Sequence, residues 1–163
     1  MRKFITLLAT LLAIASLGAG AQSYRGSVDA QAGIGKIGGA ELGGRQFYVE
    51  LSTTHGVQIS ERWFAGAGVA AMYPLDAKNI FIPVYADVKL RFPEFGKDVL
   101  YLDVRGGVIP LTTLDEKKVR PYLSGGLGVE FPFKMTVSGR LTWWKIPAGN
   151  SAFMATVGVG YLF

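Results

Sequence analysis

Hydrophobic and polar residues alternate along most of this chain, and a period of two residues predicts β-strands. In the stretch FIPVYADVKLRF one set of alternate positions is aliphatic or aromatic, and the other set contains Tyr85, Asp87, Lys89 and Arg91. The same division recurs in six further stretches. With WFAGAGVAAMY between two of them, eight strands are predicted, over residues 24–35, 46–59, 63–73, 80–92, 99–111, 120–131, 134–146 and 152–163.

A glycine-rich stretch, GIGKIGGAELGG, has the Gly-x-Gly-x-x-Gly spacing of a dinucleotide-binding loop at Gly33, Gly35 and Gly38. Such a loop needs a strand before it and a helix after it, because the pyrophosphate binds the N–H groups at the start of that helix. Here alternating strands flank the stretch on both sides. We therefore predict a hairpin loop in which glycine supplies positive φ angles, and no nucleotide site.

The first residues have the pattern of a cleavable signal peptide. Arg2 and Lys3 precede the apolar stretch FITLLATLLAIASLG, and Ala19-Gly20-Ala21 is a small-residue cleavage pattern. This predicts a signal peptide over residues 1–21, a mature domain over residues 22–163, and export. The sequence contains no cysteine, so neither a disulfide framework nor a lipid anchor is expected.

The composition is unusually apolar for an exported soluble protein, with 18% charged and 50% hydrophobic residues. No apolar run after the signal peptide approaches the roughly 20 residues of a spanning helix. Of 17 basic and 12 acidic residues, Arg2 and Lys3 leave with the signal peptide, so the mature chain has 15 basic residues and a net charge of +3. It has no lysine- and arginine-rich cluster, which argues against a nucleic-acid partner.

Alternation alone leaves open which face of the strands is inside. A soluble lipocalin-like barrel has its apolar face inside, and a membrane barrel has it outside. The polar face carries few charges for a solvated surface, and their signs balance, which suits a closed lumen. The predicted lumen charges are Arg25, Lys89, Arg91, Arg105 and Arg140, with Asp29, Glu50, Asp87, Asp103 and Glu130.

Aromatic residues on the apolar face lie mainly near strand ends, as two interfacial girdles would require. One group comprises Tyr24, Trp63, Phe92, Phe131, Tyr161 and Phe163, and the other comprises Phe47, Tyr73, Trp143 and Phe153. The predicted strands are long enough for the roughly 9–11 tilted residues that cross a bilayer. These features favour the apolar face outside, and large inward residues such as Tyr48 and Trp144 favour a closed lumen.

The stretches VGVGYLF, ISERWFAGAGV and IPVYADVKL carry a family resemblance. The chain resembles the small eight-stranded outer-membrane barrels of Gram-negative bacteria, of OmpX or OmpA-transmembrane type, over its whole mature length. The resemblance implies an all-β, eight-stranded antiparallel up-and-down transmembrane β-barrel. It also implies that the outer-membrane assembly machinery reads Tyr161 and Phe163 in the last strand.

Family topology would place both termini in the periplasm. The turns near residues 60–62, 93–98 and 132–133 would then be periplasmic. The loops near residues 36–45, 74–79, 112–119 and 147–150 would be extracellular, and they are short.

His55 is the only histidine in the sequence. Some small barrels modify lipid A with His-Ser-carboxylate groups, so His55 is a catalytic candidate. By parity it faces lipid toward the periplasmic end of the second strand, whereas Glu50 points to the other face. The expected neighbours across the hairpin, Ala65 and Ala67, cannot orient an imidazole. We therefore predict an interfacial or strand-end histidine.

These observations predict an integral protein of the cell outer membrane with a structural or surface-interaction role, a closed polar lumen and no catalysis. No cofactor or metal is expected. The expected partners are outer-membrane lipid, lipopolysaccharide and the assembly machinery, and the chain is expected to be a monomer. One alternative is a soluble secreted lipocalin-like carrier of a lipid, which leaves the girdles unexplained. The other is a lipid A-modifying outer-membrane enzyme.

Overall fold

The structure is a computed structural model, and it describes residues 23–37, 45–75, 80–92, 97–112, 119–145 and 151–163. Within these ranges no helix is long and apolar enough to cross a membrane. Most of the described residues belong to eight strands: β1 (Ser23–Ile37), β2 (Arg45–Gln58), β3 (Trp63–Pro74), β4 (Phe81–Arg91), β5 (Val99–Thr112), β6 (Arg120–Glu130), β7 (Met135–Lys145) and β8 (Ser151–Leu162).

The strands form one closed barrel in which each strand pairs antiparallel with its neighbours in the chain, and β8 pairs back with β1. This confirms the predicted eight-stranded up-and-down fold. Following paired residues once around the barrel leads from Trp63 to Tyr73 in the same strand, so the register advances by ten residues. This stagger tilts the strands against the barrel axis, and the closure of the barrel leaves no sheet edge unpaired.

The two ends of the barrel differ in what they contain. We call the end with Ser23, Phe163 and the β2–β3, β4–β5 and β6–β7 connections the turn end, and the opposite end the loop end. At the turn end, Ile59 donates its N–H to the Trp63 carbonyl at 2.8 Å. This connection and that of β6–β7 confirm the turns predicted near residues 60–62 and 132–133. Most residues of the other predicted turn and of the four loops lie outside the described residues.

The alternating sequence pattern separates the outside of the barrel from its lumen. Large apolar residues of all eight strands are exposed on the outer face, and polar residues of the opposite parity are buried inside. In β4, for example, Val84 and Val88 are exposed, whereas Tyr85 and Asp87 are buried. A water-soluble barrel would have the reverse arrangement.

The lumen itself is divided into two layers. Its half nearer the loop end is filled by a cluster of apolar and aromatic side chains, Tyr48, Ala70, Met72, Phe81, Tyr85, Ile109, Tyr122, Trp144, Ala152 and Met154. The half nearer the turn end contains most of the charged residues; Arg120, at the loop-end start of β6, is an exception. The prediction of a polar lumen is therefore wrong for the loop-end half, because apolar residues also occur at the inward parity near those strand ends.

The glycine-rich stretch begins within β1, which continues to Ile37 rather than ending near residue 35. Neither Gly33 nor Gly35 has a positive φ, so the role predicted for them is wrong; Gly38 lies outside the described residues. Both glycines are instead needed for close approach. A Cβ on Gly33 would meet the carbonyl oxygen of Ala155, and one on Gly35 would lie 2.7 Å from the Tyr48 ring.

We expect Gly33→Ala to destabilise the barrel by about 1–3 kcal/mol, since the obstructing atom belongs to the backbone of β8 and cannot rotate away. The matched control is Gly106→Ala, where an added Cβ meets nothing within 4 Å. Urea unfolding of both variants in lipid vesicles measures the difference. Equal stability of the two variants would contradict a tight β1–β8 contact.

Pro83 lies inside β4, where a proline cannot donate a ladder hydrogen bond. The β4–β5 register shifts between Ile82 and Val84, so the proline occupies an irregularity rather than regular pairing. Proline within sheets is confined to such positions and to strand edges.

Candidate functional site

The first candidate site is a cluster of charged residues at the centre of the lumen. The Arg105 side chain is completely buried and forms ion pairs with four carboxylates: Asp29 at 3.3 Å, Asp103 at 3.4 Å, and Glu50 and Asp87 at 3.7 Å each. Its Nη1 donates to Ser52 Oγ at 3.3 Å. Its Cζ lies 4.8 Å from the centroid of the Tyr85 ring, in a cation–π contact.

Two further cations complete this central cluster. Arg140 donates from Nε to Asp103 Oδ2 at 3.0 Å, and the Lys89 ammonium lies 3.9 Å from Asp87 Oδ2. The ammonium also lies over two aromatic rings, those of Phe64 at 5.3 Å and Tyr101 at 5.4 Å. Because a buried charge is costly unless it is paired, these residues hold one another in place across strands that are distant in sequence.

A second group of charges, the turn-end cluster, surrounds Glu130. Its Oε2 accepts from Arg91 Nη2 at 2.8 Å and Nε at 3.1 Å, and from Arg25 Nη2 at 3.3 Å. Arg25 also donates to Gln58 Oε1 at 3.0 Å, and Arg91 donates to the Glu61 carbonyl at 3.2 Å. All ten charged residues predicted for the lumen therefore lie at inward positions, in two clusters.

Arg120 is a further buried cation of the lumen that was not among the predicted lumen charges. It lies two positions before the inward-facing Tyr122, so extending the alternation of β6 by one step would have found it. Aromatic side chains also fill the loop-end half more completely than the sequence predicted. Tyr48 meets Trp144 edge to face at 5.8 Å, and Tyr85 stacks on Tyr122 at 5.9 Å.

The predicted girdle residues lie on the outer face near the ends of the strands. At the turn end Tyr24, Trp63, Tyr161 and Phe163 are exposed, and Phe92 and Phe131 are half-buried. At the loop end Phe47, Tyr73 and Phe153 are exposed, and Trp143 is half-buried. Phe133, which the sequence analysis placed only in a turn, is also exposed and stacks on Phe131 at 5.3 Å.

His55 is on the outer face at the turn end, as parity predicts, but its imidazole is held by more neighbours than the sequence suggested. Tyr24 Oη lies 2.6 Å from Nδ1, and Thr53 Oγ1 lies 3.0 Å from Nε2. The Phe163 ring meets the imidazole edge to face at 5.8 Å. The expectation that nothing orients the ring is wrong, because it considered β3 alone and not β1 and β8.

The hydrogen bonds of His55 assign its tautomer. Thr53 donates its hydroxyl proton to the Ser27 carbonyl oxygen at 3.2 Å, so it accepts from an Nε2–H of the imidazole. Nδ1 is then the acceptor for the Tyr24 hydroxyl. With both nitrogens engaged in this way, the imidazole has no free lone pair with which to activate Thr53 as a nucleophile.

Among the residues that the structure describes, no group of three or more histidine, cysteine or acidic side chains has the geometry of a metal site. The carboxylates of the central cluster instead face guanidinium and ammonium groups.

The fold and the distribution of side chains define a class, that of the closed eight-stranded barrel with an apolar outer face and a filled lumen. No family model matches the sequence, and no curated protein matches it. Solved structures of small outer-membrane barrels match the fold. The outer membrane enzyme PagL has a TM-score of 0.61 at 12% identity, with 82% of this chain and 98% of PagL covered.

Two further solved structures have the same fold. Neisserial surface protein A matches with a TM-score of 0.58 and 13% identity over 88% of this chain and all of that chain (100%). Ail, the attachment invasion locus protein of Yersinia pestis, matches with a TM-score of 0.50 and 16% identity over 87% of this chain and 98% of its own. At such identities the likeness shows the fold alone, and that fold is shared by an enzyme and by a surface protein.

Proposed function

We propose that this protein is an integral protein of the outer membrane with a structural or surface-interaction role and without catalytic activity. The observation that carries the proposal is the outer face, which presents aliphatic side chains around the whole circumference. Leu141 and Val157 are 72% and 70% exposed, respectively. Exposed apolar surface of this extent on a closed barrel requires a lipid environment.

The filled lumen argues against the alternative function, that of a soluble carrier of a lipid. Such a carrier needs an apolar cavity inside its barrel. Here Trp144, Tyr48 and Met72 fill the loop-end half, and Arg105 with its carboxylates occupies the centre. The same filling argues against a diffusion pore and supports a role for the outer surface or the loops.

The proposed orientation places the turn end in the periplasm and the loop end outside the cell. A chain exported through a signal peptide reaches the outer membrane from the periplasm, which supports placing the described ends Ser23 and Phe163 on that side. We propose that the assembly machinery reads Tyr161 and Phe163 on the outer face of β8, and that lipid and lipopolysaccharide contact the aromatic girdles.

Gel migration tests the proposal. The chain is expressed with its own leader, the outer membrane is isolated, and the detergent extract is run in SDS either unheated or boiled. A fast band in the unheated lane that shifts on boiling is expected, because a closed barrel resists SDS until it is heated. Recovery of the chain as a soluble periplasmic protein without that shift would overturn the proposal.

We expect His55→Ala to leave the lipid A profile of the cells unchanged, because the imidazole is engaged by Tyr24 and Thr53 and contacts no carboxylate among the described residues. Mass spectrometry of extracted lipid A checks this, with cells lacking the protein as the second control. A lipid A species that disappears in both the variant and the cells lacking the protein would instead assign an enzymatic role to His55.

A further inference from the structure

A hollow on the outer face near the loop end is distinct from the lumen. It has a volume of about 530 Å³ and extends across the outer surface from β6 to β2. We propose that it is a binding site for one lipid with a phosphorylated headgroup, of the kind that makes up the outer leaflet. The proposal rests on the proposed function, because it needs the loop end to lie in that leaflet.

Small residues create the floor of the hollow. Gly125 pairs with Leu141, and Leu141 pairs with Ala155, so small and large side chains alternate around the barrel at this level. A Cβ on Gly125 would meet no atom closer than 4.0 Å. Packing within the barrel therefore does not require glycine here, unlike at Gly33, and the space above Gly125 is left for something outside the protein.

The walls of the hollow are apolar and aromatic. Trp143 and Phe153 are paired neighbours on β7 and β8, and both line the hollow with Leu123 and Ile34. Its volume falls in the range of about 300–1,000 Å³ that is typical of ligand sites. An acyl chain is the occupant that matches such walls in a membrane, since it contributes apolar surface and needs no hydrogen-bond partner.

Cations lie where the headgroup of that lipid would be. Lys36 and Arg45 are paired across β1 and β2 and both line the hollow. Lys145, at the loop end of β7, is also exposed. Every exposed charged residue that the structure describes at the loop end is one of these three cations, whereas the turn end also presents Glu61. Phosphate groups are the anionic lipid groups that lysine and arginine bind most favourably.

Aromatic walls and a cationic rim together favour a phosphorylated lipid over a second protein. A protein partner would need side chains that supply both a long apolar insertion and a neighbouring anion. One phosphorylated lipid supplies both, and the membrane holds it at the required depth.

Native mass spectrometry tests the site with the full mature chain in detergent. The protein is mixed with equal amounts of bis-phosphorylated lipid A, its dephosphorylated form and phosphatidylcholine, and the lipid that remains bound is identified. We expect selective retention of one molecule of the phosphorylated form. Lys36→Gln and Arg45→Gln are each expected to weaken retention about fivefold, the effect of one cation near an anionic headgroup.

Gly125→Leu tests the hollow separately from the charges. A Cβ at this position meets no atom closer than 4.0 Å, so we expect the variant to fold normally, to place its leucine in the hollow and to retain the lipid several-fold less well. Gly106→Leu is its matched control, because an added Cβ there also meets no close atom, but Gly106 lies on β5, outside the hollow. Arg62→Gln, at an exposed turn-end position, is the matched control for the charge variants.

The possible outcomes separate this inference from the proposed function. A heat-modifiable barrel that retains all three lipids equally overturns the lipid site and leaves the outer-membrane proposal intact. If the charge variants lose the phosphorylated lipid but Gly125→Leu retains it fully, the hollow is not the binding site of the acyl chain. Dimers whose formation is blocked by Gly125→Leu would assign the hollow to a second copy and overturn the lipid. A chain that forms no barrel in lipid overturns both proposals.

Discussion

Replacing Arg105 by methionine is expected to destabilise the barrel by about 3–5 kcal/mol, or to prevent its folding. The guanidinium is the shared partner of Asp29, Glu50, Asp87 and Asp103. Methionine fills a similar volume but leaves the carboxylates with only Lys89 and Arg140 to offset them. Removing one member of a buried ionic group costs more than the group contributes as a whole, because the remaining charges stay in a medium that cannot solvate them.

Urea unfolding in lipid vesicles measures this effect, with the unheated gel band as a second readout. Arg62→Met is the matched control, since it removes the same charge from an exposed position and is expected to change stability by less than about 0.5 kcal/mol. Arg105→Lys keeps the charge but cannot span all four carboxylates, so its stability is expected to lie between those of the wild type and Arg105→Met. Wild-type stability of Arg105→Met would show that the central cluster is not a connected unit.

Val104→Arg is expected to cost about 2–4 kcal/mol when the protein is folded into lipid vesicles. Val104 lies near the middle of β5 (Val99–Thr112) and is 57% exposed on the outer face. An arginine there must either stay in hydrocarbon or bend the bilayer toward its guanidinium, and both are unfavourable.

The same variant separates a membrane barrel from a water-soluble one. If the outer face were in water, an exposed arginine at position 104 would be close to neutral and would improve solubility. Val104→Leu is the control for side-chain size, and unfolding of all three proteins in urea gives the comparison. An unchanged free energy of unfolding for Val104→Arg in lipid would contradict the membrane placement of this face.

The strands could be predicted from the sequence because alternation is a local signal. In β4, residues two positions apart lie on the same face of the strand, so the sequence alone shows which residues share a face. The eight predicted segments agree with the structure to within about two residues at either end. The packing role of Gly33 and Gly35 was missed because glycines in a glycine-rich stretch resemble loop residues. A larger residue at either position would collide with β8, and at Gly35 also with Tyr48, and these contacts form only when the barrel closes.

The partners of the candidate site residues depend on register and closure, which the sequence does not specify. Parity could place Arg105 inside, but it could not identify Asp29 as a partner 76 residues away in the chain. The arrangement around His55 combines Tyr24 and Phe163 with β2, and it likewise exists only where β1 meets β2 and β8. The apolar half of the lumen was missed because its residues are dispersed along the chain: β2 to β8 contribute one or two residues each, and β1 contributes none to this cluster.

The depth of the central cluster has a consequence for how the protein responds to ionic strength. Mobile ions screen charges over a Debye length of about 8 Å at 0.15 M salt, but only where the electrolyte can reach them. The barrel wall and the aromatic layer exclude electrolyte from Arg105, so its ion pairs keep their full strength in concentrated salt. Lys36 and Arg45 are exposed, so mobile ions reach and screen their charges. Concentrated salt would therefore weaken the attraction between this cationic rim and an anionic partner, while the ion pairs that hold the barrel together stay the same.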